Sequence, residues 1–86
     1  MKWHHHASGY YYALAPGGHD YYYVVRLEVP GASGRLVWVW GHCSAHTFSP
    51  GRTVRSSWTR EDTHRTATEA KMWAERSADA DAMSSV

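Results

Sequence analysis

Thr66-Ala67-Thr68-Glu69-Ala70-Lys71-Met72-Trp73-Ala74-Glu75-Arg76 is where the hydrophobic rhythm of this chain changes. Ahead of it, aromatic and aliphatic residues alternate in short runs broken by Gly and Pro; from Thr66 onward the pattern is that of one helix. Thr66 and Glu69 have the spacing of a capping box, in which the Thr hydroxyl accepts from the Glu69 N–H and the Glu carboxylate reaches back to the Thr66 N–H. Glu69 also falls in the first turn, where the helix dipole favours negative charge. Ala67, Ala70, Ala74 and Ala78 make a stripe of small residues with Trp73 at its border. Such a stripe lets the helix axis approach the layer beneath it closely. The spacing predicts a helix from Thr66 to about Ala78. Asp79 and Asp81 oppose the dipole at the far end, and with Ser84-Ser85 behind them they predict a frayed tail over 79–86.

Upstream, the strongest strand signal is Tyr21 to Val29. Tyr21, Tyr23, Val25, Leu27 and Val29 share one face, and Tyr22, Val24, Arg26 and Glu28 the other. Arg35 to His42 is the next strand, with Leu36, Trp38, Trp40 and His42 on one side and Val37 and Val39 on the other. β-branched and aromatic residues dominate both, as half-buried pleats prefer, and the short Pro30–Gly34 turn favours an antiparallel hairpin. Earlier candidates are Lys2 to Ala7 and Tyr10 to Ala15, with Ser8-Gly9 as either a tight turn or a bulge. Pro16-Gly17-Gly18-His19-Asp20 is a turn: Pro fixes φ and Gly supplies positive φ. Cys43 to Gly51 reads as an irregular loop, and Arg52 to Thr59 as a last edge strand guarded by arginines. The resulting expectation is an α+β domain over 1–78: an antiparallel β-meander of four to five strands with one C-terminal α-helix packed on one face.

Eighty-six residues make one domain, and a chain this short buries only roughly 60–65% of its unfolded surface. Five Trp and six Tyr compensate, since each buried aromatic removes about 150–250 Å² from water. A single cysteine, Cys43, excludes an internal disulfide and fits a reducing compartment. The N-terminus has no apolar stretch of secretory length, and no run reaches the ~18 apolar residues of a membrane span. A cytoplasmic protein is the expectation. Net charge is +1, with the sheet region mildly basic and the helix with its tail mildly acidic, short of the strongly basic balance of a dedicated nucleic-acid binder.

Four chemistries can be weighed. His42, Cys43, His46 and His64 are metal-ligand residue types, but a structural zinc site needs four ligands in tetrahedral array and only Cys43-x-x-His46 is closely spaced; exposed loop histidines account for them, and no metal or other cofactor is expected. Cys43 has His42 beside it and His46 three residues on, but proximity in sequence demonstrates neither the base within reach, the orienting group nor the oxyanion hole that a nucleophile needs, and no paired-carboxylate, phosphate-loop or nucleophile-elbow signature is present, so an enzyme acting on a small molecule is not expected. Arg26, Arg35, Arg52, Arg55, Arg60 and Arg65 among Tyr, Trp and Ser suit phosphates and unpaired bases, although Glu28, Glu61 and Asp62 interrupt them. Finally, both faces of the sheet are apolar and one helix covers only one. The other face must be covered by the N-terminal strand, by the Cys43–Gly51 loop, by a second copy or by a partner, and Trp, Tyr and Arg are the residues that dominate interface hot spots.

The aromatic strands followed by the Thr66–Glu75 helix segment resemble small accessory proteins of actinobacteria and their phages, which end in a T-x-x-E-A-K-x-x-A-E helix after a short meander. The resemblance implies a small regulator or inhibitor acting on a host component. The region from Tyr21 to Arg76 is also distantly similar to AP2-type DNA-binding domains, where three antiparallel strands pack on one helix. That similarity implies Arg26, Arg35, Trp38 and Trp40 on a base-reading face. The long Cys43–Gly51 loop and Glu61-Asp62 depart from that pattern. The favoured expectation is non-enzymatic binding of a protein, a second copy or a host target, with nucleic-acid binding by the basic aromatic face as the alternative. The tryptophans are taken to meet the alanine stripe, which leaves Tyr22, Val24, Arg26, Val37, Val39 and Arg55 as the opposite, partner-binding set.

Overall fold

The structure, a computed structural model, describes residues 1–28, 35–51 and 63–84. Four strands follow one another as β1 (His4–Ala7), β2 (Tyr10–Leu14), β3 (Asp20–Glu28) and β4 (Leu36–Ser44), and the chain ends in helix α1 (Ala67–Ser84). The strands form one antiparallel sheet in the order β1-β2-β3-β4, with α1 packed on it. This is the expected α+β meander. The fifth strand expected over 52–59 lies outside the described residues.

Local chemistry explains each junction. Gly9 takes φ 79° in the β1–β2 turn, a conformation that costs a residue with a Cβ. A register irregularity between His5 and Ala7 adds a bulge to that hairpin, so turn and bulge occur together. Gly18 takes φ 76° in the β2–β3 turn. At α1 the Thr66 hydroxyl accepts from the Glu69 N–H at 3.1 Å, as expected of an N-cap. The second arm of the capping box differs: the Glu69 carboxylate turns to His64 Nδ1, 3.3 Å away. The helix also runs to Ser84, six residues beyond the expected end at Ala78. Asp79 and Asp81 weaken its last turns but do not stop a run rich in alanine.

Register determines the faces. In β3–β4, Tyr22 lies opposite His42, Val24 opposite Trp40 and Arg26 opposite Trp38. Directly opposed residues share a face. Tyr22, Val24 and Arg26 are therefore on the same side as Trp38 and Trp40, and Val37 and Val39 are on the other side with Tyr23 and Val25. The expected grouping of Tyr22, Val24, Arg26, Val37 and Val39 as one surface is corrected: they divide between two faces. A one-residue slip in a hairpin register exchanges every side chain between sides, and strand alternation alone does not set it.

Each face has a sealed centre within one chain. On the helix side, Tyr22 packs against Ala74 and Ala78, with Met1, Trp3, Ala15 and Trp40 around them. Trp40 thus meets the alanine stripe as expected. Tyr10, Tyr23 and Val39 are buried on the opposite side. There the segment after β4 folds back over the sheet, Phe48 stacking on Tyr21 at 4.3 Å and packing on Tyr12 at 5.4 Å. Of the covers weighed from sequence, the Cys43–Gly51 loop is one the structure uses.

Candidate functional site: an aromatic and cationic arc at the helix start

Five of the six residues expected to bind a partner are described, and those five do not form one surface. Tyr22, Val24 and Val39 are buried, Val37 is half-buried on the far face, and Arg26 alone is exposed. Arg55 lies outside the described residues. A core position and a hot-spot position draw on the same aromatic and β-branched residues, so composition did not separate them.

Arg26 does lead to a cluster. Its guanidinium lies over Trp38, Cζ to centroid 5.9 Å. Tyr11 packs on Trp38 at 5.9 Å, and Lys71 Nζ from the helix sits 3.7 Å above the Tyr11 ring. Trp38 also pairs along its backbone with His64, each N–H donating to the other's carbonyl at 2.7 and 2.8 Å. His64 stacks on Trp73, 6.2 Å and 17° apart, and Arg76 lies over Trp73 at 5.1 Å. Tyr11, Trp38, His64 and Trp73 thus form an arc around the start of α1, with Lys71, Arg26 and Arg76 placed on its rings.

The arc is built by ordinary local rules. Trp38 and Arg26 are cross-strand partners on one face, and Tyr11 faces Val24 across β2–β3. Lys71 and Trp73 project from opposite flanks of a helix whose Ala70 and Ala74 touch the sheet. His64 is held by two backbone bonds at the outer edge of β4 and by Glu69 through Nδ1, and its buried Nε2 has no hydrogen-bond partner among the described residues. From sequence, His64 carried weight only as a metal ligand. What could have revealed it is its position two residues before the helix cap.

Among the described residues, four large apolar side chains stay exposed. Leu36 is 50%, Met72 46% and Trp73 43% exposed. Leu36 precedes Trp38 by one pleat on the same face, and Met72 adjoins Trp73. The fourth, Leu14, lies on the other face, opposite Tyr21.

The metal-type residues are dispersed. His42 is on the helix face, 3.9 Å from Asp20, whereas Cys43 is on the opposite face across from Tyr21. Among the described residues, no three His, Cys, Asp or Glu side chains are grouped to hold a metal ion. No helix among them is long and apolar enough to cross a membrane. The fold defines a small α+β domain whose most distinctive surface is a cation-bearing aromatic arc. No protein-family model, curated protein or solved structure matches this chain.

Proposed function

We propose that this chain is a non-enzymatic binding protein of a reducing, cytoplasmic setting that works through a protein–protein surface, on a second copy or on a host target. The supporting observation is Trp73: it stays 43% exposed beside His64 and Arg76, with Met72 exposed next to it in the helix and Leu36 exposed one pleat from Trp38. Interface hot spots favour Trp and Arg set among apolar neighbours that exclude water. The surface replaces the six-residue set expected from sequence. A small regulator or inhibitor is the form that the resemblance to phage accessory proteins implies.

Nucleic-acid binding is the second reading, and it draws on Arg26, Lys71 and Arg76 beside aromatic rings. Salt separates the two, since phosphate contacts weaken steeply as it rises. The test compares the wild type with a Leu36→Ser/Trp73→Ser variant whose fold is verified by circular dichroism. Light scattering across a concentration series reads self-association, and retention of polypeptide on the immobilised chain reads a separate target. The wild type is expected to show one of these, resistant to salt, and the variant to lose it. A wild type that stays monomeric and retains nothing that the variant fails to retain overturns the proposal.

A further inference from the structure

We propose that His4 and His6 form a two-imidazole binding site for a zinc-type divalent cation, on the face of the sheet away from the helix and separate from the arc. Strand geometry selects the pair. Alternate residues of a strand project to one side. In β1, His4 lies opposite Tyr12 and His5 opposite Tyr11, and the register irregularity between His5 and Ala7 falls at His6. Ring contacts place His6: it packs on Tyr10 at 5.8 Å and on Tyr12 at 6.4 Å. His4 stacks on the same Tyr12 ring at 5.3 Å. His5 packs instead on Tyr11, at 4.9 Å, on the helix side. The pleat thus divides a run of three histidines into a pair and a single.

Both imidazoles are open to a ligand. They are exposed, and among the described residues no hydrogen bond or ion pair engages their ring nitrogens. Stacking on Tyr12 uses the face of the His4 ring, whereas a metal ion bonds to the nitrogen lone pair at the ring edge. Tyr12 therefore limits the movement of His4 without covering its nitrogens. Beside His6 a glycine keeps space: a Cβ on Gly51 would stand 3.2 Å from His6 Nε2, tighter than ordinary contact. The donor set indicates the ion. Neutral imidazole suits zinc, nickel and copper ions, and neither β1 nor β2 carries the carboxylates that calcium or magnesium would need. Two protein ligands leave the remaining positions of a tetrahedral ion to water or to a donor from outside. Binding is accordingly weaker than at a closed four-ligand site.

The experiment titrates the full chain with zinc chloride in a buffer that does not bind metal, read by calorimetry and by the ring proton resonances. One ion per chain is expected, shifting the His4, His6 and Tyr12 ring signals more than those of His5 and Tyr11. His4→Ala and His6→Ala are each expected to lose saturable binding, and His5→Ala to keep the wild-type affinity. All three positions are exposed, and circular dichroism verifies the fold of each variant. Equal weakening by His5→Ala overturns the proposal, because the run would then chelate without regard to face. Half an ion per chain overturns it by putting the ion between two copies. Binding that survives His4→Ala/His6→Ala overturns it by putting the ion at other residues, and a wild type that takes up no zinc overturns it outright.

Discussion

Gly41 and Tyr10 show how tightly single residues are fitted on the face away from the helix. A Cβ at Gly41 would lie 2.5 Å from the Tyr23 hydroxyl oxygen and 2.6 Å from its Cζ. Tyr23 is fully buried, so the ring cannot swing aside without moving its neighbours. Gly41→Ala is therefore expected to cost about 1–3 kcal/mol through overpacking, a fall of roughly 4–8 °C in Tm per kcal/mol for a domain of this size. Gly17→Ala, where a Cβ meets only His19 at 3.8 Å, serves as the neutral control in scanning calorimetry. Equal Tm for Gly41→Ala and wild type would refute the contact. Burial, with smaller contributions from Tyr23 and Cys43, pushes the Tyr10 phenol from 10 up to about 12, while a backbone hydrogen bond with Gly51 pulls the other way. The fold thus holds the Tyr10 proton more tightly than the unfolded chain does. Its contribution to stability is complete below pH 10 and is lost as the pH rises from 10 to 12. Tyr10→Phe should flatten that part of the alkaline stability curve, measured by urea unfolding. A slope unchanged by the substitution would show that Tyr10 does not titrate this way.

Among the elements, α1 shows how sequence pattern becomes packing. Its alanine stripe was legible from spacing alone, and Ala70 and Ala74 are fully buried against the sheet. Ala74→Leu adds bulk where Tyr22 already fills the space and is expected to cost about 1–3 kcal/mol, whereas Thr68→Leu on the exposed side stays within about 0.5 kcal/mol. Denaturant midpoints for the two variants measure the contrast, and similar midpoints would mean that the stripe is not the docking face. β3 and β4 were equally legible, because alternation fixes which residues of one strand share a side. The helix end was not. Acidic residues near Ser84 suggested fraying, but helix length reflects the summed propensity of the last turns.

For the whole molecule, the ends of the chain hold each other. The Trp3 indole N–H donates to Glu75 Oε1 at 2.8 Å, joining positions separated by 72 residues, and Trp3 packs beside the Tyr22–Ala74–Ala78 cluster. Trp3→Ala is expected to cost about 2 kcal/mol, less than deletion of a fully buried Trp because this ring is half-buried. Glu75→Gln keeps an oxygen acceptor and should cost under about 1 kcal/mol. Equilibrium urea unfolding distinguishes them. Comparable small effects of both would show that the N-terminal segment does not stabilise the helix. Mutual support between the ends, together with the Phe48 segment on the other face, is how this short chain covers the centre of each side of its sheet.

By itself the sequence determined the fold class, the strand order, the helix position and its sheet-facing stripe, because each follows from periodicity and capping among near neighbours. It did not determine which strand faces coincide. That depends on hairpin register, and a shift of one residue moves Tyr22 and Val24 from one side to the other. The arc at the helix start was hidden for the same reason: Tyr11, Arg26, Trp38, His64, Lys71 and Trp73 come from four separate segments. Only their packing in three dimensions sets Lys71, Arg26 and Arg76 on the rings and leaves Trp73 43% exposed.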